Sequence, residues 1–396
     1  MRSNCVRLLV TLVALGASAC SPAASPPPTA APPTVTPAAA KPTTAPTAAA
    51  TATTAPAATT APNAVATGAA TPASGAAAPT ARVGPAADHP GNAPLHKLAV
   101  GYSNISADDL ASWVAQEAGI FSQNGLDVDL QLISGGSRTM ASLLSGQEDL
   151  TLQGGSEVLS ASASGADLVV LATLAPVYPY LFEVSADIKT ADDLRGKKVG
   201  VSSAGGSADI ASRVVLKKQG LDPDSDVNMV PVDSHANRTA ALISGAIQAG
   251  VDDPPDSYEV ERQGLHPLFD LAGLKLPAAN TVVVGQRTWV SANPETAQKF
   301  VDSLVQSIAR MRADKPFTVG VLKKYFQSDD EEALNGAYDF FTREVTPAVP
   351  MPKVEQFADA VAILGEKNDK IKTVALAHII DPGFVQSAVD RGLAAR

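Results

Sequence analysis

Val100-Gly101-Tyr102-Ser103 recurs 99 residues later as Val199-Gly200-Val201-Ser202, and Leu143-Leu144-Ser145-Gly146 recurs at the same offset as Leu242-Ile243-Ser244-Gly245. A third pair lies between these two: Gln123-Asn124-Gly125-Leu126-Asp127 and Lys218-Gln219-Gly220-Leu221-Asp222. Each glycine after a helical stretch suits the left-handed cap that ends a helix before a strand. One such match occurs by chance in many α/β proteins, but three in the same order predict two similar lobes.

The chain outward from this repeat alternates short apolar runs with amphipathic stretches from His96 onward. That alternation predicts an α/β fold with a largely parallel sheet. The predicted strands are Leu98–Tyr102, Val128–Ile133, Leu150–Gln153, Leu168–Leu174, Lys198–Ser202, Asn228–Val232 and Thr281–Gly285. A helix is predicted to begin with Asn293 as its cap and Pro294 in its first turn. Its apolar stripe from Phe300 to Met311 indicates core rather than a site.

Two such lobes facing each other would enclose a cleft, since parallel sheets bind ligands beyond the carboxyl ends of their strands. The repeat pairs the loop at Ser103-Asn104 with Ser202-Ser203, and the loop at Gly135-Gly136-Ser137 with Ser234-His235-Ala236. The loop at Gly154-Gly155-Ser156 pairs in the same way with Asp253-Pro254-Pro255. The predicted ligand-binding residues are Ser103, Asn104, Gly135, Gly136, Ser137, Gly155, Ser156, Ser203, Gly206, Ser207 and Asp253. Gly-Gly-Ser before a helix suits an anion or polar oxygen, although it also serves as a plain tight turn and cap.

Charge and cysteine content exclude several classes of protein. The chain has 30 Lys and Arg against 40 Asp and Glu, a net charge of −10. Nucleic acid is therefore not an expected partner, because its binding requires clustered cations. The only cysteines are Cys5 and Cys20, so the predicted folded part has no thiol for a disulfide or a nucleophile. The histidines lack the spacing of a shared metal site, and we expect no metal, no cofactor and no catalytic residue.

The N-terminus has the layout of an export signal. Arg2 and Arg7 precede an apolar run from Leu8 to Leu15, followed by small residues and Cys20. This resembles a bacterial lipoprotein signal, with residues 1–19 removed and Cys20 acylated. The alternative is an ordinary signal peptide cut beside Ala19. Residues 20–95 are almost wholly Ala, Pro and Thr, a composition that predicts a disordered tether. The expected location is outside the cytoplasm, on the cell membrane or facing the periplasm.

A family resemblance rests on several motifs. Residues 113–121, Trp-Val-Ala-Gln-Glu-Ala-Gly-Ile-Phe, followed by Gly125-Leu126-Asp127-Val128, resemble the opening of the nitrate, taurine and aliphatic-sulfonate binding family. That family includes receptors for thiamine pyrimidine precursors. Further matches are residues 143–150 (LLSGQEDL), 193–201 (DLRGKKVGV), Gly220-Leu221-Asp222-Pro223 and Ser244-Gly245-Ala246.

The resemblance implies a periplasmic-binding-protein type II fold with a central cleft and a hinge. Lobe one would comprise residues 96–185 and 286–396, and lobe two residues 186–285. It implies a monomeric, non-enzymatic receptor that captures a small solute and delivers it to the permease subunits of an ABC importer. Ligand contacts in the family come from loops at the positions that the repeat selects here.

Two charged residues bear on the solute. Asp253 stands before Pro254-Pro255, where many relatives have an uncharged residue, and a carboxylate in the cleft would repel nitrate or a sulfonate. A polar or cationic nitrogen-containing solute then becomes more attractive, unless Asp253 only caps a turn. Arg138 favours an anionic solute instead, if its guanidinium binds a carboxylate or sulfonate at the start of a helix. If the side chain is solvated, it gives no information about the solute.

Two other functions compete with import. A surface-tethered protein of the same fold could serve sensing or adhesion. An enzyme resembling the fungal thiamine-pyrimidine synthases would need a cysteine-rich iron motif, which the cysteine-free region from His96 onward excludes.

Overall fold

A computed structural model describes residues 95–395 of the chain. The predicted signal peptide, Cys20 and all but the last residue of the predicted tether lie outside the described residues. Within them, thirteen α-helices and ten strands alternate along the chain. The strands are β1 (His96–Tyr102), β2 (Leu126–Leu132), β3 (Leu150–Gln153), β4 (Leu168–Val177), β5 (Leu181–Val184), β6 (Lys198–Val201), β7 (Asn228–Pro231), β8 (Ala249–Asp252), β9 (His266–Asp270) and β10 (Pro277–Gln286).

The helices fall in the intervals between strands and in a long C-terminal region. They are α1 (Leu110–Glu117), α2 (Ile120–Gln123), α3 (Gly136–Ser145), α4 (Gly155–Ala163), α5 (Ser207–Lys218), α6 (His235–Ile243), α7 (Asp256–Arg262), α8 (Arg287–Ala292), α9 (Pro294–Ala313), α10 (Lys315–Phe326), α11 (Glu331–Phe340), α12 (Ala358–Gly365) and α13 (Gly383–Asp390). Short 3₁₀ turns span Ala107–Asp109, Ala191–Leu194, Val354–Phe357, Asp369–Thr373 and Leu393–Ala395, and a π-turn spans Phe341–Val345. None of the described helices combines the length and the apolar character needed to cross a membrane.

The strands form two five-stranded sheets of matching order, β2-β1-β3-β10-β4 and β7-β6-β8-β5-β9. In each sheet the repeated strand, β1 or β6, lies between two parallel neighbours. In each sheet the fourth strand, β10 or β5, runs antiparallel to both of its neighbours. The predicted two-lobed α/β fold is therefore confirmed, and we call the halves built on these sheets lobe one and lobe two.

The expectation of largely parallel sheets needs correction, because β10 and β5 make each sheet mixed. These are the strands by which the chain passes between lobes. Since β5 pairs with β8 and β9, the chain leaves lobe one before Leu181, earlier than the predicted bound at residue 185. Since β10 pairs with β3 and β4, it returns before Pro277, earlier than the predicted 286. Apolar patterning marks a strand but not the sheet that it joins.

Every predicted strand corresponds to a strand of the structure, and the predicted helix is α9, which begins at Pro294 after Asn293. The repeated glycines also behave as expected. Gly125, Gly146, Gly220 and Gly245 all have φ between 72° and 81°, the left-handed conformation that ends a helix. Strands β5, β8 and β9 were not predicted.

Lobe one has apolar side chains packed on both faces of its sheet, as a sheet covered by helices on both sides requires. Val169 and Leu171 of β4 face one cluster, with Trp113 of α1 and Phe300 of α9. The alternate residues Leu168 and Val170 face the other cluster. Because successive side chains of a strand point to opposite faces of the sheet, β4 contributes to the apolar cores on both sides.

Helix α12 comes from the C-terminal region yet packs on lobe two. Its Ala360 and Ile363 belong to the same apolar cluster as Ile210 and Val214 of α5. The ion pair between Lys217 and Glu366, at 2.5 Å, joins the same segments at the surface. The C-terminal region therefore packs on both lobes.

Candidate functional site

A cavity of about 60 Å³ lies between the lobes, beyond the carboxyl ends of the strands. The loops after β1, β2 and β3 line it from lobe one, and those after β6 and β7 line it from lobe two. Its lining comprises Ser103, Asn104, Asp108, Gly135, Gly136, Gly154, Glu157, Tyr180, Ser202, Ser203, Gly206, Ser207, Ala208, Ser234, His235, Arg238, Asn280 and Thr281. Both lobes contribute, so the site is complete only when they lie together.

The structure brings most of the predicted ligand-binding residues to this cavity. Those that line it are Ser103, Asn104, Gly135, Gly136, Ser203, Gly206 and Ser207. The others lie elsewhere. Ser137 is exposed and outside the lining. Gly155 packs against Ala279, where a Cβ would lie 2.5 Å from the alanine methyl group. Ser156 borders a smaller neighbouring cavity of about 10 Å³, and Asp253 is buried outside the cavity lining.

Four helices begin at or beside the cavity: α3, α4, α5 and α6. Each follows a strand of its lobe through a short loop, so its free N–H groups and positive dipole end lie toward the cleft. Glycines make this approach possible. Gly135 has a φ of 100°, and a Cβ on Gly206 would lie 2.7 Å from the Ser203 hydroxyl oxygen.

A buried group of charged side chains lies at the lobe-two side. The Nε2 atom of His235 lies 2.8 Å from Oδ1 of Asp252 and 3.2 Å from Oδ2 of Asp256, although its N–H is not aligned for a hydrogen bond to either. Its Nδ1 atom lies 3.6 Å from Oδ2 of Asp253. The other oxygen of Asp253 accepts a 3.0 Å hydrogen bond from Ser106 of lobe one. Asp253 therefore contacts the opposite lobe directly.

The charges of this group depend on one another. Burial alone would lower the pKa of His235, but Asp252, Asp253 and Asp256 outweigh burial and hold it well above its ordinary value. Burial raises the pKa of Asp252, yet the imidazolium and Arg238 more than offset this, so that pKa is lowered. Burial dominates at Asp253, whose pKa is raised well above the usual range, with His235 opposing and Asp108 reinforcing the shift. His235 and Asp252 thus form the buried ion pair.

Lobe one contributes a second buried acidic pair, Asp108 and Asp109. Asn280 donates a 3.1 Å hydrogen bond to Asp108, and the Thr281 hydroxyl donates another. Burial raises the pKa of Asp108 despite these bonds. The pKa of Asp109 is raised well above normal by burial and by its neighbours Asp108 and Asp253. Only Asp108 lines the cavity.

His235, Asp252 and Asp253 also have ligating atoms within 4.8 Å of one another, a spacing that could hold a metal ion. Asp252 and Asp253 are adjacent, but His235 lies on a different element well before them in the sequence, so the spacing gave no sign of this group. The ring faces Asp252 with one nitrogen and Asp253 with the other, whereas a metal would take one nitrogen and displace its proton. The raised pKa of His235 favours the imidazolium, so we describe the group as an internal ion-pair cluster.

Two arginines lie near the cleft. Arg238 of α6 is 2% exposed and lines the cavity. It donates a 2.7 Å hydrogen bond to the Ser202 hydroxyl and another to the Val251 carbonyl. Arg138 of α3 is outside the lining and forms an ion pair at 3.0 Å with Asp233 of lobe two. Both partners are more than half exposed, so that pair contributes little to stability.

Several lining residues were not predicted, chiefly Asp108, Glu157, Tyr180 and Arg238. Glu157 is in the first turn of α4, three residues after Gly154, and Arg238 follows His235 by one helical turn. Those spacings place each beside a predicted loop and could have identified it. Tyr180 lies where the chain passes between lobes, a position that no local pattern marks.

Comparison with known proteins agrees with this architecture. Residues 108–316, more than half of the chain, match the family described as NMT1/THI5 like. The chain belongs to the NMT1/THI5-like family. This confirms the resemblance on which the fold prediction rested.

One relative of this NMT1/THI5-like protein is YtlA of Bacillus subtilis, which is named as a candidate binding protein. It is 25% identical over 239 residues, 59% of this chain and 71% of YtlA. The alkanesulfonate-binding protein SsuA of Xanthomonas axonopodis, solved with MOPS bound, has a TM-score of 0.61 at 21% identity, covering 73% of this chain and 99% of SsuA. The nitrate-binding protein NrtA of Synechocystis has a TM-score of 0.61 at 16% identity, covering 76% and 90%. These two structures share the periplasmic-binding-protein fold with this chain.

Proposed function

We propose that this protein is an extracytoplasmic receptor that captures a small polar solute and delivers it to an ABC importer. The observation that carries the proposal is the cavity between the lobes, whose lining of hydroxyls, amides and charged groups comes from both halves of the chain. Family membership and the fold of the sulfonate-binding and nitrate-binding proteins support it. The proposed partners are the permease subunits of the importer, with the receptor acting as a monomer.

The size of the cavity supports a small solute. A cavity needs about 10–15 Å³ to hold one water molecule, so about 60 Å³ leaves space for a solute larger than a single water molecule. Direct bonds between the lobes surround it. Besides the bond from Ser106 to Asp253, the Ser207 hydroxyl of lobe two donates to the Asn280 carbonyl of lobe one at 3.3 Å. A solute held here would add bonds to both lobes and stabilise the closed arrangement.

Serines of the lining provide a test of binding. Changing Ser103 or Ser207 to alanine should weaken binding of the solute by about 1–3 kcal/mol, because a buried polar group of the ligand would lose its partner. The folded lobes should stay intact. The solute is first found by thermal-shift screening of nitrate, sulfonates, amines and pyrimidines, and affinities are then measured by calorimetric titration.

Ser137→Ala is the matched control, since Ser137 is exposed at the start of α3, next to the lining residue Gly136, but does not itself line the cavity. Its affinity should equal that of the unchanged protein. Equal affinities in all three variants would place the solute elsewhere. Uptake of the identified solute by cells, lost on deletion of the receptor, would separate import from sensing or adhesion.

The proposed lipid anchor is tested at Cys20. Cys20→Ser should release the protein from the membrane fraction, because acylation requires the cysteine thiol and two acyl signals are needed for stable anchoring. Fractionation by centrifugation followed by mass spectrometry of the mature N-terminus measures both effects. An unmodified mature N-terminus in the unchanged protein would contradict the anchor.

A further inference from the structure

Glu157 is the charged residue most directly surrounded by the helix starts of the cleft. Its carboxylate lies against three glycines: Gly136, the first residue of α3, Gly154, the cap of α4, and Gly206, the cap of α5. A side chain at Gly136 or Gly154 would collide with its oxygens, and a Cβ at Gly206 would lie 3.0 Å from Oε1. Two of these glycines belong to lobe one and the third to lobe two.

This position is where helix geometry favours a negative charge. Free N–H groups and the positive dipole ends of helices attract anions, and α3, α4 and α5 each have nine or more residues. The polypeptide here supplies the anion itself, in the form of the Glu157 side chain. A second anion from solution would meet both a filled space and a like charge.

The Glu157 carboxylate has no cationic partner in the part of the chain that the structure describes. It accepts a 2.8 Å hydrogen bond from the neighbouring Ser156 hydroxyl, and no Lys, Arg or His among residues 95–395 forms an ion pair with it. Burial raises its pKa, which shows the cost of keeping this charge out of water. A bound cation would remove that cost.

A second lining carboxylate has an oxygen without a partner in the described part of the chain. Asp108 is a second carboxylate of lobe one, and its Oδ1 is buried without a hydrogen-bond partner among the described residues. Of the two cations in the lining, His235 is paired with Asp252, and Arg238 already donates to Ser202 and Val251. The wall formed by Glu157 and Asp108 is therefore left with unmatched acceptors.

We propose that Glu157 makes this cleft select small solutes that carry a protonated amine, and that it excludes inorganic anions and simple sulfonates. The inference rests on the proposed function as a solute receptor. It replaces Asp253, which is buried outside the cavity lining, as the residue that determines the charge of the ligand. The ammonium group would lie between the lobes and donate to Glu157, with Asp108 as the second acceptor.

Calorimetric titration of the whole chain with matched solute pairs tests this proposal. The pairs are ethanolamine with ethylene glycol, and taurine with ethanesulfonate, together with nitrate alone. The unchanged protein should bind amine-bearing members at least about 30-fold more tightly than their matched partners, since losing one partner of a buried charged pair costs 2 kcal/mol or more. Glu157→Gln should remove that preference and gain affinity for ethanesulfonate or nitrate.

Glu332→Gln, an exposed carboxylate change on α11, is the control and should leave all affinities unchanged. Circular dichroism shows that each variant is folded, and Glu157→Asp should restore part of the preference. Equal binding of ethanesulfonate and taurine, unaffected by Glu157→Gln, would overturn the inference and leave the proposed function standing. Failure of every solute to bind would count against the proposed function and the inference together.

Discussion

Replacing His235 by leucine is expected to lower the free energy of unfolding by about 3–5 kcal/mol at pH 7, because it leaves buried carboxylates without their cation. Asp252 and Asp253 are 0% and 1% exposed, and both approach the imidazole ring, as does Asp256. Leucine preserves most of the side-chain volume but supplies no charge. Urea denaturation followed by circular dichroism measures the loss.

The pH dependence of this loss follows from two pKa shifts of opposite direction. The pKa of His235 is raised, so its contribution is complete below its ordinary value of 6.5 and disappears as pH rises through the raised value. The pKa of Asp252 is lowered, so its contribution is present above 3.8 and disappears as pH falls through the lowered value. The deficit of His235→Leu should therefore be largest between about pH 4 and pH 6.5, and it should shrink both in stronger acid and as pH rises above 6.5 toward the raised pKa of His235.

His266→Leu provides the control, because His266 is on strand β9, is partly exposed and forms no ion pair within the described part of the chain. A change of at most about 0.5 kcal/mol is expected there. If the two leucine variants lost equal stability, the ion-pair account of the cluster around His235 would be wrong. A deficit that did not vary with pH would contradict it too.

The features that local sequence specifies were predicted well. Strands β1 and β6, the capping glycines Gly125 and Gly220, and the start of α9 depend on residues within a few positions of one another. The two lobes followed from the repeat, because equal local patterns in equal order form equal local structures. The sequence did not predict strand β5, and it predicted β10 as a strand but placed it in the wrong lobe, since the sheet that a strand joins depends on contacts distant in sequence.

In the candidate site, too, the features set by local sequence were predicted and those set by distant contacts were not. Ser103, Gly136 and Ser207 line the cavity because loops after parallel strands must reach that edge of the sheet. The expectation for Asp253 depended on the direction of one side chain. Its backbone is in a matching loop, but its carboxylate contacts Ser106 and His235 instead of the cavity. Packing between the lobes determines the direction of the Asp253 side chain, and residue spacing in the sequence does not predict it.

Replacing Glu183 by glutamine is expected to stabilise the protein increasingly as pH rises, by about 3 kcal/mol more at pH 7.5 than at pH 5. Glu183 is 0% exposed on β5, and neither carboxylate oxygen has a hydrogen-bond partner in the part of the chain that the structure describes. Burial, reinforced by Glu261 and Asp252, raises the pKa of Glu183 from 4.5 to about 8. The folded state thus keeps a proton that the unfolded chain has lost, and stability falls as pH rises through this interval.

Glutamine has the shape of the protonated acid but does not titrate. The variant therefore lacks the fall in the free energy of unfolding that Glu183 causes, which is about 1.4 kcal/mol per pH unit between the unfolded and folded pKa values of this residue. Other carboxyl groups with raised pKa values, such as those of Asp109 and Asp253, affect both proteins equally. Their effects cancel in the difference in stability between the variant and the unchanged protein. Denaturation at several pH values gives that difference directly, with the exposed Glu332→Gln as control. Parallel stability curves for the unchanged protein and Glu183→Gln would mean that Glu183 ionises inside the folded protein, and that a cation or solvent reaches it there.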